Sequence, residues 1–106
     1  MNLFIDLQHS ILQGSGIIVP RTHRKSMFDL TVEELVSTFS LLTDVKASLD
    51  SECNPQGYNL GWNCGEVAGQ TVFHAHLHVI PRFESEPYAG RGIRHWFKQE
   101  SNRRSF

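Results

Sequence analysis

Between positions 31 and 49 the apolar residues Val32, Leu35, Val36, Phe39, Leu42, Val45 and Leu49 recur every three or four places, the spacing that gathers them on one stripe of an α-helix. The stripe predicts a helix with one buried face. Thr31 and Glu34 stand at its start as a capping box, in which the hydroxyl and the carboxylate each satisfy a backbone N–H that the first turn leaves unpaired. Asn54-Pro55, inside the polar run 50–57, marks its end, because proline cannot continue the helical ladder. The period changes on both sides. Leu3-Phe4-Ile5-Asp6-Leu7 reads as a short strand running into polar Gln8-His9-Ser10. After the turn Gln13-Gly14-Ser15-Gly16, the β-branched run Ile17-Ile18-Val19, stopped by Pro20, reads as a hairpin partner or returning strand. Beyond the helix, residues 58–64 are extended, 65–69 form a turn, and 72–80 make the last clear strand, closed by Pro81. Residues 93–99 suit a short helix or a final strand. Strands around one long helix predict an α+β domain with an antiparallel sheet and a short C-terminal element.

Composition narrows this picture. A chain of 106 residues, 40% hydrophobic and 20% charged, fits a single domain over 1–106, and folding at this size buries over ~60% of the unfolded surface. No apolar stretch approaches the ~20 residues needed to cross a bilayer, and Met1-Asn2-Leu3 opens without the basic segment of a secretory signal. The expectation is a cytoplasmic protein with no membrane partner. Cys53 and Cys64 have no metal or redox spacing and are expected as free thiols. The net charge of −1 conceals an asymmetry: residues 82–106 carry six basic side chains (Arg82, Arg91, Arg94, Lys98, Arg103, Arg104) against three acidic ones. Such a tail attracts an anion or is simply a solvated terminus. The whole is too weakly basic, and too poor in basic–aromatic motifs, for a nucleic-acid partner.

Three of the six histidines fall within five positions, His74-Ala75-His76-Leu77-His78. On a strand they share one face with Val72 and Ile80, while Phe73, Ala75, Leu77 and Val79 share the other. A lone histidine is more often structural than functional; three on one face call for chemistry. Metal binding is the first candidate. At strand rise, His74 and His78 have Cα atoms ~13 Å apart, against zinc–nitrogen bonds of about 2.0–2.1 Å. One ion reaches two of the three and needs ligands from elsewhere, such as His23, Glu66 or His95. The other candidate is nucleophilic. A neutral imidazole, with an unperturbed pKa near ~6.5, attacks phosphorus without a general base, and flanking imidazoles stabilise the charge developing on phosphate oxygens. Asn59, Asn63, Gly65, Gly69, Gln70 and Thr71 supply polar groups and a turn whose backbone N–H groups can approach an anion.

The run Gly57-Tyr58-Asn59-Leu60-Gly61-Trp62-Asn63-Cys64-Gly65-Glu66-Val67-Ala68-Gly69-Gln70-Thr71-Val72-Phe73-His74-Ala75-His76-Leu77-His78-Val79-Ile80-Pro81-Arg82 resembles the signature of the histidine triad (HIT) family. These are nucleotide-binding hydrolases and transferases, usually homodimers, with a sheet-and-helix fold. Weaker similarity covers 14–31 and 4–7. The resemblance implies that His76 is a nucleophile that attacks the α-phosphorus and forms a covalent nucleotidyl-histidine, later cleaved by water. It implies that His74 and His78 bind phosphate oxygens and hold the nucleophile's tautomer. Gln70 and Thr71 match residues that contact phosphates or bridge to the leaving group, with Gly69 beside them, and Asn63 matches a phosphate-contacting asparagine. Asp6 matches the residue that takes the ribose hydroxyls, given a one-residue insertion before Gly14. Phe4, Leu7 and Ile17 would line the base pocket.

Two departures matter. The family's Gly-His segment reads Gly14-Ser15-Gly16 here, and serine donates a hydrogen bond but carries no positive charge, which implies an altered rate or substrate preference. The chain also starts close to the ribose-binding strand, without the N-terminal strand and helix of relatives, which leaves a sheet edge open to a partner subunit. Ile80-Pro81-Arg82 followed by Gly90-Arg91-Gly92-Ile93-Arg94 resembles the fragile histidine triad-like branch that hydrolyses dinucleoside polyphosphates, with Arg91 and Arg94 facing the extra phosphates. The implied protein is a homodimer acting on a purine nucleotide. It needs no cofactor, although a divalent cation can travel with a polyphosphate substrate. Hydrolysis of nucleoside phosphoramidates, or nucleotide binding with weak catalysis because of Ser15, are the alternatives. His9, His23 and His95 are read as structural or surface histidines, His23 being the nearest to a ligand.

Overall fold

A computed structural model describes residues 2–106. Its regular elements are β1 (Asn2–Asp6), β2 (Gly16–Pro20), α1 (Val32–Cys53), β3 (Gly57–Trp62) and β4 (Leu77–Arg82). The four strands form one antiparallel sheet in the order β1-β2-β4-β3, with α1 on one face. The α+β architecture expected from the pattern is thus present, and β1 and β2 pair as expected. Among the described residues no helix is long and apolar enough to cross a membrane.

Strand alternation builds the core. Gly16, Ile18 and Pro20 on β2 and Leu77, Val79 and Pro81 on β4 are buried toward the helix, while Ile17, Val19, His78 and Ile80 lie on the open face. Ile18 and Val79 are fully buried against Val45, Leu49 and Leu77, each such side chain worth about 1.5–3 kcal/mol. Gly16 is required by a close approach: a Cβ there would lie 2.4 Å from the Phe4 ring.

The helix begins where the capping box predicts. Thr31 Oγ1 accepts from the Glu34 N–H at 3.1 Å, and Glu34 accepts from the Thr31 N–H at 2.7 Å. It runs to Cys53 and stops at Asn54, whose left-handed φ of 50° asparagine tolerates better than most residues, ahead of Pro55. The buried stripe is narrower than the sequence suggests. Val45 and Leu49 are buried and Leu42 packs on them, but Val32, Val36 and Phe39 are 73%, 63% and 67% exposed. Thr38 is buried instead, accepting from the Asn2 carboxamide of β1 at 2.7 Å. The apolar face of α1 is wider than this sheet can cover.

Two other expectations change. The strand placed at 72–80 begins only at Leu77 and runs through Pro81 to Arg82. Upstream of Leu77 the chain leaves the ladder: the Ala75 N–H turns to the Arg24 carbonyl at 2.7 Å, and the His74 ring occupies the Pro20 carbonyl. Pro81 is tolerated because β2 pairs with β4 only from Leu77 to Val79, so proline's missing N–H faces no neighbour there. Residues 93–99 form neither a helix nor a strand but successive turns, held by His95 N–H to Gly92 O, Lys98 N–H to Arg94 O and Gln99 N–H to Trp96 O.

Candidate active site

The histidine row sits where β4 emerges from an irregular segment. Its alternation survives that irregularity: Ala75, Leu77 and Val79 are buried while His74, His76 and His78 are half-buried on the open face. Phe73 departs from the expected inner set and is exposed.

The His76 Nδ1 lies 2.9 Å from the His74 carbonyl oxygen. A carbonyl can only accept, so Nδ1 carries the proton and the neutral ring has its lone pair on Nε2. The resemblance assigned the tautomer to flanking side chains; a backbone carbonyl of the same segment sets it. The His74 ring is fixed in turn by its Nε2–H donating to the Pro20 carbonyl at 2.8 Å. That leaves His74 Nδ1 bare, 3.2 Å from His23 Nδ1, and two nitrogens that close share one proton, donated by His23. His23 therefore belongs to the row's support, stacked edge-on to His74 with ring centroids 5.1 Å apart. Among the described residues no group of three or more His, Cys, Asp or Glu is arranged around a common metal position.

His78 packs edge-on against His76 at 4.9 Å. Burial first, and then the neighbouring His76 charge, hold its pKa below the ordinary imidazole value, so it stays neutral at pH 7. Its Nε2 is buried and has no hydrogen-bond partner among the described residues, which costs about 1–3 kcal/mol.

The turn before the row differs from the expected anion cradle. Ala68, Gly69 and Gln70 spend their N–H groups on the carbonyls of Gly65 and Glu66, and the Gly65 N–H goes to Gln70 Oε1 at 2.9 Å. Gln70 itself is 2% exposed, and its amide donates to the carbonyls of Lys25 at 2.6 Å and Val72 at 3.2 Å. Each polar atom of its side chain is thus committed to backbone, so Gln70 is a clasp that holds 63–72 against 25. Thr71 and Asn63 are exposed nearby. Gly69 has a φ of 92°, and a Cβ on it would stand 3.7 Å from Asn63 Nδ2, so glycine is there for its backbone conformation.

Beside the row, a groove of about 530 Å³ is lined by Leu3, Ile17, Val19, Val72, His74 and His76, with Pro20 and Arg21 at its edge. Of the residues expected to hold a base, Ile17 lines it. Phe4 does not: it pairs with Ile18 and packs on the helix side, because residues of even number on β1 face α1. Leu7 lies just past β1, half-exposed. Leu3 and Val19 take the places that sequence reasoning gave to Phe4 and Leu7; the alternation of β1 with β2 was the signal for them. Asp6, at the exposed end of β1, accepts from the Gln8 N–H at 2.7 Å through one carboxylate oxygen, leaving the other oxygen available. Ser15 is buried and donates to the Leu12 carbonyl at 2.6 Å, closing the β1–β2 turn.

The basic tail is partly paired within itself. Arg82 pairs with Glu86, Arg103 with Glu100, and the Arg91 guanidinium stacks 4.4 Å from the Tyr88 ring.

The family model described as HIT domain matches residues 4–85. The chain is 34% identical over 80 residues to "Protein hit" of Bacillus subtilis, covering 76% of this chain and 54% of that protein. It is 32% identical to a bis(5'-nucleosyl)-tetraphosphatase [asymmetrical] of Schizosaccharomyces pombe, covering 78% of this chain and 45% of the relative. A crystal structure of a HIT family protein from Bacillus anthracis superposes with a TM-score of 0.69 at 38% identity, over 79% of this chain and 58% of that one. The chain therefore spans roughly half the length of these relatives.

Proposed function

The chain belongs to the histidine triad family, and from that premise we propose that it is a nucleotide phosphohydrolase cleaving dinucleoside polyphosphates or related nucleotidyl conjugates at the α-phosphate. The observation that carries the reading is the His76 Nδ1–H bond to the His74 carbonyl, which leaves Nε2 as a lone pair next to an apolar groove. The purine base would sit among Leu3, Ile17 and Val19, with the free oxygen of Asp6 toward the ribose. Nε2 attacks the α-phosphorus, a nitrogen–phosphorus bond forms, and the phosphorus–oxygen bond to the leaving group breaks with its electron pair. Water then adds to phosphorus and the nitrogen–phosphorus bond breaks back onto Nε2. The sum consumes one water and releases a nucleoside monophosphate. His78, packed edge-on against His76, would bind a phosphate oxygen from the same face of the sheet.

We also propose a homodimer. Phe39 exposes apolar surface beside Leu60 of β3, Val36 is exposed on the same helix, and β3 is an edge strand whose outer backbone groups are open to pairing with a second copy.

The test incubates diadenosine polyphosphates with the wild-type chain and with His76→Ala, with and without chelator, and follows adenosine monophosphate by chromatography. Release that falls to background in the variant and survives chelation is expected. Nucleotide binding without release by the wild type would sink the polyphosphatase reading. Phosphoramidates would then be tried. Failure there favours a binding module, for which the specific observation is Ser15, bonded to Leu12 O where the family carries a histidine.

A further inference from the structure

The open face of the sheet has a second hollow, on the other side of β4 from the groove that His74 and His76 border. It measures about 370 Å³ and is lined by Asn59, Gly61, Asn63, His78, Ile80 and Ile93. The imidazole row is the ridge between the two. We propose that this second hollow receives the departing half of the substrate, a nucleoside carried on the leaving phosphates, so that the substrate lies across β4 with one nucleoside on each side. The assignment rests on His76 as nucleophile.

Three observations carry it. Gly61 pairs directly with His78 and so opens the sheet surface next to the row. A Cβ there would come no closer than 3.8 Å, to Ile93 Cδ1, so the hollow exists at this point because residue 61 has no side chain. Second, its far wall is built rather than incidental. The Arg82 guanidinium donates to Asn59 Oδ1, to the Arg91 carbonyl at 2.7 Å and to the Tyr88 carbonyl at 2.8 Å, while its Nε holds Glu86 at 3.0 Å. These bonds tie the segment after β4 back onto β3 and bring Ile93 over Gly61. Third, the chemistry suits a nucleoside. Ile80 and Ile93 offer apolar surface to a ring. The Asn59 oxygen is committed to Arg82, which leaves its amide N–H groups as the donors it can offer, and Asn63 adds a second carboxamide. Both hollows fall in the ~300–1,000 Å³ range of small-molecule sites, and an ammonia or sulfate leaving group would use none of the second.

Arg82 is on this account a positioning residue, acting through Asn59 and Ile93. The chemical step is unchanged: the phosphorus–oxygen bond to the leaving phosphates breaks, and the oxygen departs with its electron pair.

The experiment compares diadenosine tetraphosphate with adenosine 5'-phosphoramidate, which share the adenylyl half and differ in what leaves. Gly61→Leu and Ile93→Trp fill the hollow from its floor and its wall; Ile93 is 57% exposed, so its replacement does not threaten the core. In both variants kcat/KM for the tetraphosphate is expected to fall about ten-fold or more, chiefly through KM, while the phosphoramidate changes less than about two-fold. An equal fall for both substrates, or no fall for the tetraphosphate, overturns the assignment. Wild type that cleaves the phosphoramidate alone overturns it too while leaving His76 as nucleophile. Cleavage of neither substrate overturns the nucleophile reading and this one with it.

Discussion

Gln70 illustrates what a residue's neighbours in sequence conceal. Set beside Thr71 and two positions from Val72, it reads as a polar group ready for phosphate, yet its oxygen and both of its N–H groups are used within the fold. Gln70→Ala should leave the Gly65 N–H and the Lys25 and Val72 carbonyls without their side-chain partner and destabilise the protein by about 1–2 kcal/mol in urea unfolding. A loss under about 0.5 kcal/mol would show that the turn holds without its clasp. His76 is the opposite case. Its place in a row of three marks it in the sequence, and the fold adds which nitrogen is nucleophilic, through a carbonyl two residues away. Ser15 was legible as a departure from the family pattern, but only the Leu12 contact shows that its hydroxyl is occupied.

At the scale of elements, the start of α1 was legible because capping is local: Thr31 and Glu34 are three residues apart and satisfy each other. Glu34 also accepts from Arg24 at 3.0 Å, and its carboxyl is held below the usual carboxylate range, first by the Thr31 N–H, with burial opposing. Since the folded pKa is the lower one, the stability from this contact is present above the ordinary glutamate value and is lost as pH falls below it. Thr31→Ala should cost about 1 kcal/mol in thermal unfolding near neutral pH; an unchanged melting temperature would mean that the cap contributes nothing. The start of β4 was not legible. Alternation of apolar and polar positions continues through His74 and His76, but those residues lie outside the ladder because the Arg24 and Pro20 carbonyls, distant in sequence, take the bonds that strand pairing would use.

For the whole molecule, the mismatch between a wide apolar helix face and a four-stranded sheet leaves Phe39 exposed beside β3. Phe39→Glu places a charge in the proposed contact between copies, and its expected effect is a shift from dimer to monomer in sedimentation with the sheet intact by circular dichroism. A variant that sediments as the wild-type dimer would remove Phe39 from the interface. The Arg82 network works at this scale as well, since it ties β4, β3 and the C-terminal turns into one wall.

By itself the sequence determined the α+β class, the helix and its cap, the pairing of β1 with β2, the face shared by His74, His76 and His78, and the family. These follow from periods of two and 3.6, from turn chemistry, and from a contiguous motif, all short-range properties of a chain. Tertiary structure alone decided which apolar positions of α1 are covered, that Phe4 faces the helix while Leu3 and Val19 line the groove, that His23 supports His74, that Gln70 is a clasp, and that the row divides two hollows. Each of these depends on which strand lies beside which, and on hydrogen bonds closed between residues as far apart as Pro20 and His74, a partnership no local pattern encodes.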